Sequence, residues 1–195
     1  AIYISISAGE LTVQENLEDY AGVKERVTYW SFDRIITEKS FESHVTYFLL
    51  SSSMDIFGNY KVIPFIASIS LLVTTYLITI TITQKRFAGI VSTIILLQSS
   101  VFLTYDTTVS YTNFWILFYL ISLYMVYRFW PLSPVSYLLS ITSKALTVAF
   151  LPMSIYFILR SNITRKKKLI ISGITAGIIL AGGIASTGVL ATQDI

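Results

Sequence analysis

Four side chains in this sequence stand out for the chemistry they could do. Lys144 is the single charge in the 31-residue stretch Phe129–Leu159. A cation within an apolar stretch is unfavourable, and by default it marks a functional site. It would hold an anionic group, either a lipid-linked phosphate or the carboxylate of Asp106. The competing reading is a lysine that snorkels to the outer surface. Asp106 is the one acid between Lys61 and Asp194. It could bind a divalent metal, support Lys144 or sit in a solvated loop. Glu10 and Asp19, with Glu18, are candidates for a general base, because a carboxylate raised above a membrane can take a proton from an acceptor hydroxyl. Nine acids crowd that part of the chain, and most of them serve solvation.

Other chemistry is excluded. Cysteine is absent and His44 is the only histidine, so the chain carries no disulfide, thiolate site, Cys nucleophile or multi-His metal site. There is no Gly-rich phosphate loop, no Gly-x-Ser-x-Gly and no internal repeat. No cofactor is implied, a divalent metal at Asp106 being the one candidate. The sequon Asn162-Ile163-Thr164 falls beside basic residues, on the side where glycosylation does not occur.

The elements that must position these residues follow from composition and charge. The 195 residues are 54% hydrophobic and 13% charged, with mean hydropathy +0.68. Soluble domains average about 25% charged residues. A water-soluble enzyme, a disordered chain and a nucleic-acid reader are therefore excluded. Residues 8–61 carry a net charge of −4, and the rest of the chain +7. This divides the chain into an acidic extracytoplasmic segment, 1–61, and a membrane bundle, 62–195. The expected fold is all-α, a polytopic transmembrane helix bundle with extracytoplasmic surface helices.

A helix needs about 20 apolar residues to cross the hydrocarbon core. Uncharged runs place spans at about 62–83, 87–104, 112–127 and 169–192. The strand-like alternation Ile78-Thr79-Ile80-Thr81-Ile82-Thr83 lies inside a longer uncharged run and reads as helix. With Lys85-Arg86 in the cytoplasm, a single crossing by Phe129–Leu159 would put Arg165-Lys166-Lys167-Lys168 outside. A short hairpin over 134–159 keeps that cluster inside and puts Lys144 near its outer tip. Pro131 and Pro134 open the first limb, and Pro152 is placed to kink the second. Two apolar faces, Tyr20/Val23/Val27/Trp30 and Phe41/Val45/Phe48/Leu49, predict helices lying on the outer surface. The lack of an initiator Met and the stop just after a span point to a piece of a longer protein.

This layout resembles the N-terminal half of GT-C glycosyltransferases, polytopic enzymes that use polyprenyl- or dolichyl-phosphate sugars. The resemblance rests on the carboxylate-bearing outer segment, the entrance Tyr47-Phe48-Leu49-Leu50 … Ile56-Phe57-Gly58-Asn59-Tyr60, the outer acid Asp106, the span ending at Arg128 and the hairpin tip Lys144. It covers most of residues 8–168. It implies catalysis by Glu10, with Asp19 as the next-best position, and a donor phosphate held by Lys144. The adjacent acidic pair, Glu18-Asp19, lies further along than that family places its own. The implied reaction is transfer of a sugar from a polyprenyl-phosphate donor at the outer leaflet of the cell membrane. The implied partners are membrane lipid or a polyprenyl-phosphate sugar, with other subunits or the remainder of a longer chain, and no nucleic acid. The alternative is a non-catalytic integral-membrane subunit of a larger complex.

Overall fold

The computed structural model describes residues 2–13, 15, 19–29 and 44–191. Among the described residues the chain is all-helical, without strands. In order it forms α1 (Ile2–Ser7), a 3-10 turn (Ala8–Thr12), α2 (Tyr20–Thr28), α3 (His44–Phe57), α4 (Val62–Thr83), α5 (Arg86–Leu97), α6 (Ser100–Tyr105), α7 (Phe114–Arg128), α8 (Leu132–Ser143), a 3-10 segment (Ala145–Phe150), α9 (Leu151–Arg160) and α10 (Arg165–Ala191). One described helix, α4, is long and apolar enough to cross a membrane.

The Ile-Thr run lies within α4. The hydroxyls of Thr74, Thr75, Thr79, Thr81 and Thr83 each donate to the carbonyl four residues back, at 2.7–2.8 Å. A β-branched polar residue is tolerated in a helix when its hydroxyl is satisfied this way. α4 ends at Gln84, which takes a left-handed conformation (φ 57°) and donates its backbone N–H to the Ile80 carbonyl. The chain then returns as α5. Gly89 makes that return close, since a Cβ there would stand 2.8 Å from Ile80 and Tyr76 side-chain atoms.

The run expected as one span over 87–104 is two helices. α5 stops at Leu97, and Ser99 caps α6 by accepting the Phe102 N–H at 3.3 Å. A serine that offers its oxygen to the next turn competes with helix continuation. α7 has 15 residues. At 1.5 Å per residue it is about 22 Å long, shorter than a hydrocarbon core of about 30 Å.

α7 and α8 run antiparallel, and Ser140 Oγ on α8 donates to the Trp115 carbonyl at 2.6 Å. The chain turns at Lys144, whose backbone is extended (φ −157°), and α9 runs back. Pro152 sits in the first turn of α9 instead of kinking its interior. There its missing N–H removes no helical bond.

The described residues of both expected apolar faces are helical, in α2 and α3; Trp30, Phe41 and Glu18 lie outside the described residues. α2 turns Val27 into the core, with Tyr20 and Val23 packed beside it. In α3 the expected face divides, with Leu49 packed against the core and Phe48 outward. Leu50 and Ser53 are buried, whereas Phe48 is 44% exposed.

The bundle has two distinct ends. Lys61, Asp106, Trp115 and Lys144 lie at or near helix ends on one side. The Arg86 start of α5 and the Arg128 end of α7 lie at the other. Arg160 and the basic start of α10 join them, where Val126, Ile158 and Ile171 form a small core. Tyr3, Leu71, Phe102, Phe114 and Leu117 fill the core beneath the first end.

Candidate functional site

The loop Asp106–Asn113 joins α6 to α7 at the first end. The N-terminal segment crosses it, and four carboxylates bind the two together. Ser7 donates to Asp106 Oδ2 at 2.7 Å. Thr107 donates to Glu10 Oε2 at 2.9 Å. Glu15 takes the Val109 N–H at 2.5 Å and the Ser110 hydroxyl at 3.1 Å. Tyr111 donates to Asp19 Oδ2 at 2.6 Å. Both segments advance in the same direction, so the contacts form successive rungs. Every donor is neutral. Hydrogen bonds to ionised acceptors are shorter and stronger than neutral pairs.

Lys61 secures the segment from the side. It is 8% exposed, and its Nζ donates to the carbonyls of Glu10 (3.1 Å) and Val13 (2.6 Å). Asn59 holds the adjoining turn by donating to the Leu11 carbonyl and accepting the Lys61 N–H, both at 2.9 Å. Burial pushes the Tyr20 hydroxyl's pKa up, and the Glu15 carboxylate and Tyr60 add to the shift.

The predicted site residues have different environments. Asp106 is 1% exposed and sits under the clasp, with its backbone carbonyl accepting from Ser68 at 2.6 Å. Among the described residues its Oδ1 has no hydrogen-bond partner, and the same holds for the buried Tyr3 hydroxyl within electrostatic reach of it. Glu10 is half-buried and uses one carboxylate oxygen on Thr107. Asp19 is exposed at the start of α2. Lys144 is exposed at the hairpin turn, with its Nζ 5.6 Å from the centre of the Trp115 ring. The structure thus brings Glu10, Asp19 and Asp106 onto one loop. Lys144 reaches the same end by way of Trp115, two residues beyond that loop. Asp106 is engaged by Ser7, and Lys144 by an aromatic face.

Sequence reasoning missed Ser7, Glu15 and Lys61. Glu15 looked like one solvating acid among nine. Lys61 served only as the boundary of a span. Its position two residues after Asn59 and directly before the uncharged run Val62–Thr83 was the available signal, because a lysine there must find acceptors near the surface.

An apolar cavity of about 510 Å³ opens beside the loop. Leu71, Leu96, Phe102 and Leu120 line it, and Tyr105 and Asn113 bring in polar groups. Asn113 Nδ2 donates to the Tyr105 carbonyl at 3.3 Å and to Ser68 Oγ at 3.4 Å, which ties this polar edge to the residue that holds Asp106. Among the described residues, no three His, Asp or Glu side chains are grouped as a metal site.

Comparison with protein-family models, curated proteins and solved structures finds no match to this chain.

Proposed function

We propose that this chain is a multi-pass cell-membrane glycosyltransferase of GT-C type, with residues 8–61 extracytoplasmic, that transfers a sugar from a polyprenyl-phosphate donor at the outer leaflet. One observation carries the reading. The apolar cavity takes its polar edge from the loop that gathers Glu10, Asp19 and Asp106. A lipid-linked substrate has the same two parts, an apolar tail and a polar reacting head.

In this reading the donor's tail lies in the cavity. Glu10, half-buried with one oxygen unengaged by Thr107, takes the proton from the acceptor hydroxyl. That hydroxyl attacks the anomeric carbon, the bond from carbon to the phosphate oxygen breaks, and the polyprenyl phosphate leaves with its negative charge. Lys144 holds that phosphate. Asp19 is the second candidate base, and Asp106 fixes the loop.

The test is transfer from a radiolabelled polyprenyl-phosphate sugar by the purified protein. Glu10→Gln is expected to lower kcat about 100-fold or more, the usual contribution of a general base. Lys144→Gln is expected to raise KM for the donor. Undiminished turnover in Glu10→Gln removes the base assignment.

The second reading is a non-catalytic integral-membrane subunit. It is favoured by the clasp itself, which engages all four carboxylates in holding one segment to one loop. Wild-type protein that transfers no sugar, yet loses its folded state in Asp106→Ala, supports this second reading.

A further inference from the structure

The opposite end of the bundle carries Lys85, Arg86, Arg128, Arg160, Arg165, Lys166, Lys167 and Lys168, and residues 56–193 contain no Asp or Glu besides Asp106 at the first end. These eight cations have no acid in their own part of the chain. Seven of them are exposed, and Lys168 is half-buried.

Several are backed by aromatic rings or backbone. Lys167 Nζ lies 5.8 Å from the centre of the Trp130 ring. Arg160 lies 6.0 Å from the Tyr156 ring and donates to a tyrosine hydroxyl, that of Tyr156, at 2.6 Å. Arg128 Nε donates to the Tyr124 hydroxyl at 3.2 Å. Lys168 Nζ donates to the Leu159 carbonyl at the end of α9, which draws the start of α10 against that helix. Large apolar side chains adjoin the cations: Phe87 is 76% exposed, Leu169 71% and Phe129 56%. Cations over aromatic faces, bordered by exposed apolar residues, match the layered chemistry of a membrane interface.

We infer that this basic end is a docking collar for anionic phospholipids, with the headgroup phosphate received by Arg160, Lys167 and Lys168 around Trp130. Charge complementarity argues for the occupant. A soluble anion would satisfy the cations and leave Phe129 and Leu169 in water, whereas a lipid covers both. Basic residues next to a membrane helix attract anionic headgroups, and the attraction weakens as salt rises. The inference requires only that the chain lies in a membrane, so failure of the transferase assay leaves it standing.

Trp130 is a built-in reporter. The full chain is prepared with Trp30→Phe and Trp115→Phe, so that Trp130 is the sole tryptophan. It is then placed in phosphatidylcholine nanodiscs doped with rising mole fractions of brominated phosphatidylglycerol or, in parallel, brominated phosphatidylcholine. Brominated phosphatidylglycerol is expected to quench Trp130 at several-fold lower mole fraction. Combining Arg160→Gln, Lys167→Gln and Lys168→Gln is expected to abolish that preference, with helix content unchanged by circular dichroism. Equal quenching by the two lipids overturns the proposal, as does a preference that survives the triple change. Reversal by millimolar inorganic phosphate at constant ionic strength assigns the cations to soluble anions and also overturns it. Release of the wild-type chain from membranes by alkaline carbonate defeats the membrane placement that this inference and the transferase reading share.

Discussion

The two ends of the bundle handle charge in opposite ways. At the first end, Asp106, Glu10, Glu15 and Asp19 accept from neutral hydroxyls and backbone N–H groups, and the buried cation Lys61 donates to two carbonyls. Among the described residues, no contact named for this clasp pairs opposite charges. The charges there serve internal closure, joining residues 92 to 99 positions apart in sequence. At the other end the cations have no acids nearby in sequence, and their recorded neighbours are tyrosines, a tryptophan and a carbonyl. Those charges face outward. The same residue classes thus fasten one end and dress the other, and burial separates the two uses.

The contrast breaks most sharply at Asp106. Asp106→Ala leaves the Ser7 hydroxyl without its acceptor beneath the clasp and is expected to destabilise the protein by about 3 kcal/mol, read as a lower melting temperature in detergent. Asp106→Asn keeps an acceptor and should cost less. Next is Lys61→Met, which removes two charge-assisted bonds and is expected to cost about 2 kcal/mol. Its specific readout is faster proteolysis within residues 8–19. Glu15→Gln should follow at about 1 kcal/mol, since the amide oxygen still accepts one N–H. Smallest is Asp19→Asn, at an exposed contact, with an effect of about 0.5 kcal/mol or less. Salt sharpens the comparison further. Raising ionic strength to about 1 M should leave proteolysis of the clasp nearly unchanged, because its bonds are short-range and partly buried. The same salt should abolish lipid preference at the basic end.

How much of this could be read in advance depended on how local the signal was. The bounds of α4 are legible because charge stops at Lys61 and resumes at Lys85. The break at Gln98-Ser99 was missed because counting uncharged residues treats a serine as neutral filler, while Ser99 acts as a cap. The inward face of α3 is not legible in the sequence for a related reason. Val45, Phe48 and Leu49 share one side of a helical wheel, yet the most deeply buried residues are Leu50 and Ser53, with Leu49 packed beside them, and Ser53 Oγ donates to the Asn59 carbonyl at 2.6 Å. Periodicity finds an apolar stripe but does not choose between neighbouring stripes in a helix apolar on several sides. Glu10 and Asp19 were legible as acids of one outer segment. Their attachment to Thr107 and Tyr111 was not, because no local pattern encodes a partner more than 90 residues away.

The threonines of α4 carry one more consequence. Each hydroxyl hydrogen points back along the helix to its own backbone, so the outward surface of those residues is largely their methyl groups. To surrounding hydrocarbon, the Ile-Thr run is closer to an Ile-Val run with its dipoles folded inward. A hydropathy scale that scores threonine by its free hydroxyl therefore understates how readily this helix dissolves in lipid.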